Sequence, residues 1–360
     1  MSNAQAQAVI LIPSLEPDHR LPEYVAKLME NGFGHAVVID DGSSEAYQSV
    51  FSETEAIPGV TVLHHDVNHG KGVALKTGYA WIQDHLPDCR TVITADSDGQ
   101  HTVTDCLRVA EAAAGDGHAL WLGSRDFSLP IIPPKSRFGN RCTSAVFKAL
   151  YGTWLPDTQT GLRGFGREEL DFMLEIGGER YEYEMNVLIA CARAKLPMKT
   201  LTIETVYENN NEGTHFHPIR DSWRIYKLIL GSFFRFMAGS LASWVVDQGV
   251  AHLLFYWLLP LMKVAAGVMS PISTTVARVV SAVCNYFINR HLVFKPKEDN
   301  GSGWKYTVLA VCCWAISTGL TWLLQSVGGP FWLMKLIVDL LLYFVNYRVQ
   351  QNWVFAERSK

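Results

Sequence analysis

An α/β layered domain followed by an all-α membrane domain is the architecture this sequence predicts, and three observations carry the prediction. Up to about Val206, short apolar runs ending in polar loops alternate with stretches of helical character. From Phe233 onward four apolar stretches can be marked, at roughly 233–257, 268–290, 304–327 and 331–353, each long enough for a bilayer, which takes about 20 helical residues. Charge divides in the same way: residues 1–225 hold 19 Lys and Arg against 30 Asp and Glu, a net of −11, whereas residues 226–360 hold 12 against 5, a net of +7. The expected domains are therefore 1–225, including a juxtamembrane segment, and 226–360.

The strands expected in the first part are Ala8–Ile12, Ala36–Ile39, Val60–His64, Thr91–Ala95 and Leu120–Gly123. In open parallel sheets ligands bind beyond the carboxyl ends of the strands, which directs attention to Pro13-Ser14-Leu15-Glu16, Asp40-Asp41-Gly42-Ser43, Asp96-Ser97-Asp98-Gly99 and Ser124-Arg125-Asp126. Seven cysteines form an odd set with no CxxC pair, which argues against a disulfide framework and a zinc site and for reduced thiols of a cytoplasmic protein. No signal peptide is expected, because the opening apolar run lacks a basic flank and stops at Pro13.

In the second part, Arg290, Lys295, Lys297 and Lys305 lie between the second and third apolar stretches. Lys263 stands alone between the first and second, and 326–330 carries no charge. The positive-inside rule then places both chain ends in the cytoplasm. Arg220, Trp223, Arg224, Tyr226 and Lys227 interleave cations with amphipathic rings before the first span, as suits a segment at the headgroup level. Asn285, Tyr286, Val293 and Phe294 recur as Asn346, Tyr347, Val354 and Phe355, 61 positions on, so two helix pairs are expected to repeat in one orientation. Asp247, Arg278 and Asp339 fall inside the spans, where ionisable groups either brace helices or line a polar path.

Asp96-Ser97-Asp98-Gly99-Gln100 is the sharpest motif of the soluble part. Side chains two apart in an extended segment point the same way, so both carboxylates and the Gln100 amide would converge on one hard cation, Mg²⁺ or Mn²⁺. An Asx turn is the plain structural alternative. An EF-hand is excluded, since His101 stands where Gly is needed and Leu107 where Glu is needed. Asn68-His69-Gly70-Lys71-Gly72 and Lys76 offer flexible backbone and two cations for phosphates without matching a Walker A motif. Arg125, Lys135, Arg137 and Arg141 form a cationic cluster in an acidic domain, suited to an anionic acceptor or to surface carboxylates. His64, His65, His69, His215 and His217 lack the Cys partners or helical spacing of a metal site.

Seven blocks in order then resemble glycosyltransferase family 2 of the GT-A type, and within it the polyprenyl-phosphate hexosyltransferases of the dolichol-phosphate mannose synthase kind. They are VILIPSLEP at 9–17, VVIDDGSS at 37–44, NHGKGVALKTGY at 68–79, TADSDGQH at 94–101, GSRDF at 123–127, KSRFGNR at 135–141 and DTQTGLRGF at 157–165. Residues 230–355 resemble a GtrA-like four-helix module, most clearly at RVVSAVCNYFINRHLVF, 278–294. The resemblance implies a Rossmann-like mixed sheet with helices on both faces, followed by four transmembrane helices. It implies that Pro13, Glu16, Asp40 and Asp41 lie on the nucleoside side of the donor, with Lys71 near its diphosphate. Asp96, Asp98 and Gln100 would hold the metal, Arg125 and Arg137 would face sugar and lipid phosphates, and Arg163 and Arg220 would assist.

The activity implied is the inverting transfer of one hexose from a UDP- or GDP-linked sugar to undecaprenyl or dolichyl phosphate at the cytoplasmic face of the membrane. The QxxRW motif of chain-elongating relatives is missing, since Gln350-Gln351-Asn352-Trp353 lacks the Arg. The partners expected are a nucleotide sugar, a polyprenyl phosphate, the lipid bilayer and further copies of the chain in a homo-oligomer, with no nucleic acid. The alternative is a transporter or scaffold for a lipid-linked sugar with a nucleotide-binding soluble domain.

Overall fold

The structure, a computed structural model, describes residues 7–130, 132–204, 218–296, 301–326 and 331–356. The chain divides into two compact units, Met1–Ile229 and Leu230–Lys360.

The first unit is built on a seven-stranded sheet of β1 (Ala8–Ser14), β2 (His35–Asp40), β3 (Val60–His64), β4 (Thr91–Thr94), β5 (Leu120–Arg125), β6 (Arg163–Gly166) and β7 (Met198–Ile203) in the order β3-β2-β1-β4-β6-β5-β7. β1, β2, β3 and β4 pair in parallel, as do β5 and β7; β6 runs antiparallel between β4 and β5. The sheet is thus the mixed, GT-A-like sheet the resemblance implies. The helices are α1 (Leu21–Glu30), α2 (Gln48–Glu55), α3 (Lys71–His85), α4 (Val103–Gly115), α5 (Pro134–Tyr151), α6 (Leu170–Glu175) and α7 (Glu182–Ala194).

β1 is buried along its whole length because both faces of the sheet are covered. Its residues Ala8, Ile10 and Ile12 join one core with Leu21, Val25 and Leu28 of α1, Phe51 of α2 and Cys106 and Val109 of α4. The apolar stripe of α1 has the helical spacing that presents one face to a sheet. Leu11 points the other way, onto α3, where its methyls stand so close to Gly78 that a Cβ there would collide with them.

The five expected strands all form, with β1, β2 and β5 longer than expected and β4 ending at Thr94 rather than Ala95. β6 and β7 do not stand out in the sequence. The RGFG of β6 becomes a strand only because β4 and β5 flank it, and β7 is an edge whose side chains are largely uncovered.

The second unit is helical: α8 (Pro218–Leu253) from Leu230 onward, α9 (Ala266–Ile288), α10 (Ser302–Ser326) and α11 (Phe331–Val349), with π-helical turns at Leu254–Leu258, Asn289–Phe294 and Gln350–Val354. The helical run Tyr226–Leu261 is long and apolar enough to cross a membrane. Apolar side chains point outward along the unit, with Trp257, Leu261 and Trp314 each more than two-thirds exposed. The expected headgroup-level segment is continuous with α8 rather than a separate element; Arg220, Trp223 and Arg224 lie outside the residues whose side chains are described, as do Asp339, His215 and His217.

The internal repeat has a structural counterpart. Asn289 Nδ2 donates to Gln350 Oε1 at 3.0 Å, and these two residues are 61 apart. Each also donates to the Asn one turn earlier, Asn289 to Asn285 and Gln350 to Asn346. Equivalent π-helical turns therefore meet through a buried amide pair. Asp247 is buried, accepts from Ser281 Oγ at 3.0 Å and lies 3.6 Å from Arg278 Nε, which braces α8 against α9.

Replacing Ile10 by Ala empties the centre of the first core and is expected to cost about 2–5 kcal/mol. The readout is the denaturation midpoint of the full chain's first unit, and an unchanged midpoint would contradict the packing described.

Candidate active site

Parallel β1, β2 and β4 release their polar residues at one edge of the sheet, and the candidate residues gather there. Asp40 and Asp41 are both buried, at 1% and 4% exposure. Asp40 Oδ1 accepts from the backbone N–H of Ser43 at 2.8 Å, and its Oδ2 lies 2.9 Å from His64 Nδ1 and 3.3 Å from Gln48 Nε2. Burial opposes its ionisation, but these donors prevail and hold the carboxyl below its usual range. Asp41 organises the neighbouring loop: Oδ1 pairs with His65 Nδ1 at 2.8 Å and accepts from His69 N at 3.0 Å, and Oδ2 accepts from Gly70 N at 2.7 Å. The His65 ring reaches on to Thr77 Oγ1. His64 and His65 are thus carboxylate partners.

The glycines of the Asn68–Gly72 segment serve close packing. Gly70 has φ +101°, a conformation that favours glycine, and a Cβ there would meet Arg180; one at Gly72 would press on Tyr183. The loop delivers Lys71 as the first residue of α3. Lys71 Nζ lies 2.6 Å from Asp96 Oδ1 and 2.9 Å from Glu184 Oε1 of α7. Burial would favour the neutral amine, but the two acids hold the ammonium firmly charged. Lys76 turns instead to Gly178 O at 2.8 Å and sits over the Tyr183 ring.

Asp96 follows β4 and meets Lys71 with one oxygen and His101 Nε2, at 3.2 Å, with the other. Burial works against its charge, yet Lys71 and His101 keep the carboxyl well below the usual carboxylate range. A Cβ on Gly161 would collide with this carboxylate, so only glycine fits. Residues 97 and 98 form a turn, not the extended segment expected, and Asp98 Oδ1 accepts from Gln100 N at 3.0 Å in an Asx turn. Asp98 is raised by burial and then by the negative charge of Asp96.

Two hard oxygen donors whose charges oppose each other suit a hard divalent cation, which would relieve that repulsion. Asp96 and Asp98 fit that role; the described contact of Gln100 is its backbone N–H. Among the described residues no group of three or more His, Cys, Asp and Glu side chains gathers as a metal cage. An ion held by two carboxylates would therefore complete its shell with water and phosphate oxygens, as Mg²⁺ commonly does.

Of the cationic cluster, Arg125 is held by both oxygens of fully buried Asp157, Nε to Oδ2 at 2.7 Å and Nη2 to Oδ1 at 3.1 Å, and lies over the Phe127 ring. Its orientation is thereby fixed. Arg137 Nη2 donates to Leu129 O at 2.9 Å, and its buried Nε has no partner among the described residues. Arg163 is only 4% exposed and donates to Thr160 O and to the carbonyl of Glu184, the residue that pairs with Lys71; its buried Nη2 has no partner among the described residues. Pro13 pairs within the sheet, and Glu16, at φ +48°, donates its N–H to Ser43 Oγ, fastening the β1 loop to the β2 loop. Glu184, His101 and Asp157 escaped sequence reasoning as partners. His101 and Asp157 lie inside recognised blocks, whereas no local pattern marks Glu184.

A mixed sheet with acids at the carboxyl edge of its parallel strands and a helical second unit together define a GT-A-like glycosyltransferase fold followed by a membrane-associated helical region. Residues 9–168 match Glycosyl transferase family 2 and residues 235–355 match the GtrA/DPMS transmembrane domain. The chain thus carries a glycosyltransferase family 2 domain joined to a GtrA/DPMS transmembrane domain. It is 28% identical to an uncharacterized protein of Methanocaldococcus jannaschii, over 62% of this chain and 92% of that one. It is 26% identical to a UDP-N-acetylglucosamine–dolichyl-phosphate N-acetylglucosaminyltransferase of Methanococcus voltae, over 55% and 85%. Among solved structures it is similar to glucosyl-3-phosphoglycerate synthase of Mycobacterium tuberculosis in complex with Mn²⁺, UDP and product, at TM-score 0.47 and 15% identity, covering 63% of this chain and 81% of that one.

The depressed Asp40 carboxyl contributes stability that is present above the unfolded-state value near 3.8 and is lost as pH falls through the lower folded value. The stability gap between wild type and Asp40→Asn is therefore expected to be largest above about pH 4 and to shrink below it. A gap that widens in acid, in denaturation at stepped pH, would contradict the hydrogen bonding described.

Proposed function

We propose that the chain transfers one hexose, with inversion, from a UDP- or GDP-linked sugar to a polyprenyl phosphate at the cytoplasmic face of the membrane. The product would be a lipid-linked sugar for assembly of a cell-surface glycan or glycoprotein. The observation that carries this reading is the Lys71–Asp96 pair beyond β4, with Asp98 in the turn two residues on, in a chain whose second part is a membrane domain. The dolichyl-phosphate transferase among the relatives supports the class of acceptor. Positive-inside counting supports the placement of both termini in the cytoplasm.

The chemistry follows from the acceptor. A phosphate monoester has a second pKa of about 6, so at neutral pH its oxygen is largely ionised and attacks the anomeric carbon without a protein base. What the protein must supply is position and charge. Arg125, aimed by Asp157, and Arg137 would hold phosphate oxygens, offsetting the repulsion between two polyanions and aligning an in-line displacement. Lys71 would meet the diphosphate, and Asp40 and Asp41 would shape the nucleoside side through the loops they tie down. Asp96 and Asp98 would hold Mg²⁺ or Mn²⁺, which when bound supplies charge stabilisation to the departing diphosphate.

The test uses the full chain, labelled UDP- and GDP-sugars, Mg²⁺ or Mn²⁺ and a polyprenyl phosphate, scoring label in the organic phase. Asp98→Asn is expected to reduce transfer by about 100-fold or more. Full-rate transfer by that variant would contradict the metal role. Absence of label with every donor would favour a transporter or scaffold, and label transferred without the lipid would point to a soluble acceptor.

A further inference from the structure

Both oxygens of Asp96 are engaged, Oδ1 by Lys71 Nζ at 2.6 Å and Oδ2 by His101 Nε2 at 3.2 Å. Gly161 closes a further side, since even a methyl group there would strike the carboxylate. Each Asp96 oxygen keeps a further lone pair, but a divalent ion that takes Asp96 as a ligand meets the repulsion of the ammonium already 2.6 Å from Oδ1. Of the two neighbours Lys71 is the movable one, a point charge on a flexible four-carbon stem with three donors. It also has a second anchor, since Glu184 Oε1 lies 2.9 Å from the same nitrogen. Lys71 and Glu184 are each 16% exposed and Asp96 33%, so the three charges interact under weak solvent screening. A strong cation competitor thus occupies the place where the metal would bind.

We propose that Lys71 and Glu184 form a latch on the metal position. Without nucleotide the Lys71 ammonium fills the cation place at Asp96. A diphosphate draws the ammonium towards its own oxygens, Glu184 keeps it within reach, and Asp96 Oδ1 is released for the metal. Metal and diphosphate then enter as a coupled pair, and by reciprocity each raises the affinity for the other. The latch rests on the metal-dependent donor site proposed above. It adds that Glu184 is a positioning residue, acting through Lys71, and that the donor-free protein discriminates against free divalent ions.

The experiment titrates Mn²⁺ into the full-length chain and reads unbound Mn²⁺ from its electron paramagnetic resonance signal, first without nucleotide and then with UDP or GDP. Wild type is expected to bind Mn²⁺ weakly alone and far more tightly with nucleotide. Lys71→Met is expected to bind nucleotide-free Mn²⁺ about tenfold or more tightly than wild type and to gain less from nucleotide. Lys71→Gln, which keeps a donor between the two acids, is expected to move in the same direction and guards against a misfolded Met variant. Lys76→Met removes the same charge from the same helix, but its Nζ is bound to Gly178 O. It is expected to stay within about twofold of wild type. If wild type takes up Mn²⁺ with nucleotide but both Lys71 variants match it without nucleotide, the latch is overturned and the metal site stands. An equal gain in Lys76→Met overturns the latch in favour of a general charge effect. If no form takes up Mn²⁺ with either nucleotide, the latch and the metal site fall together.

Discussion

The candidate site of the first unit depends on one electrostatic constraint: Asp96 is an ionised carboxylate brought to the carboxyl edge of an open sheet, where Lys71 and His101 hold that charge in place. Lys71 arrives from the start of α3 and His101 from just before α4 to meet Asp96, and Glu184 of α7 holds Lys71 from its other side. A partly buried charge is costly unless it is paired and hydrogen-bonded. Convergence also accounts for Gly161, since a side chain there would expel the carboxylate. Asp41 extends the same logic one layer outwards by fixing the loop that carries Lys71.

Much of this architecture is legible in the sequence, and what is illegible has physical causes. β1, β2, β4 and β5 can be marked because strands buried on both faces need continuous apolar runs, such as VILI and VVI, whereas β3, an edge with only Val62 buried, is marked by its own Val-Thr-Val-Leu run. β6 cannot, because Arg163-Gly164-Phe165-Gly166 has no strand character of its own and is recruited by its neighbours. β7 is an edge, with few side chains committed to the core. The turn at 97–98 was visible as Asp-Gly chemistry, but which geometry prevails depends on the Gln100 N–H that caps Asp98. Asp96, Asp98 and Lys71 stand out because carboxylates and cations beside glycine after a strand are uncommon without a purpose. Glu184 does not, because an acid in the first turn of a helix is ordinary and its meaning lies in a lysine far away in the chain. Arg163 is marked only by the block it belongs to, and its bond to the Glu184 carbonyl is a contact that no local pattern shows.

The second unit applies a related rule with different materials. In an apolar surround, amides and carboxylates must find one another, and Asn289 with Gln350, and Asp247 with Ser281 and Arg278, do so across helices. The 61-residue repeat explains why two π-helical turns offer equivalent positions to that contact. Outward-facing Trp and Leu side chains complete a surface suited to lipid. The charge division between residues 1–225 and 226–360 matches the contrast between an acidic, sheet-based part and an apolar, helical one.

The most direct measurement is a structure of the full chain with Mn²⁺ and a UDP- or GDP-sugar, with the metal located by anomalous scattering. The predicted map has one metal peak within ligand distance of Asp96 and Asp98, phosphate oxygens on its open side and Lys71 Nζ moved from Asp96 to the diphosphate. A nucleotide sugar bound elsewhere, with Lys71 still on Asp96 and no peak between the two acids, would contradict the central claim.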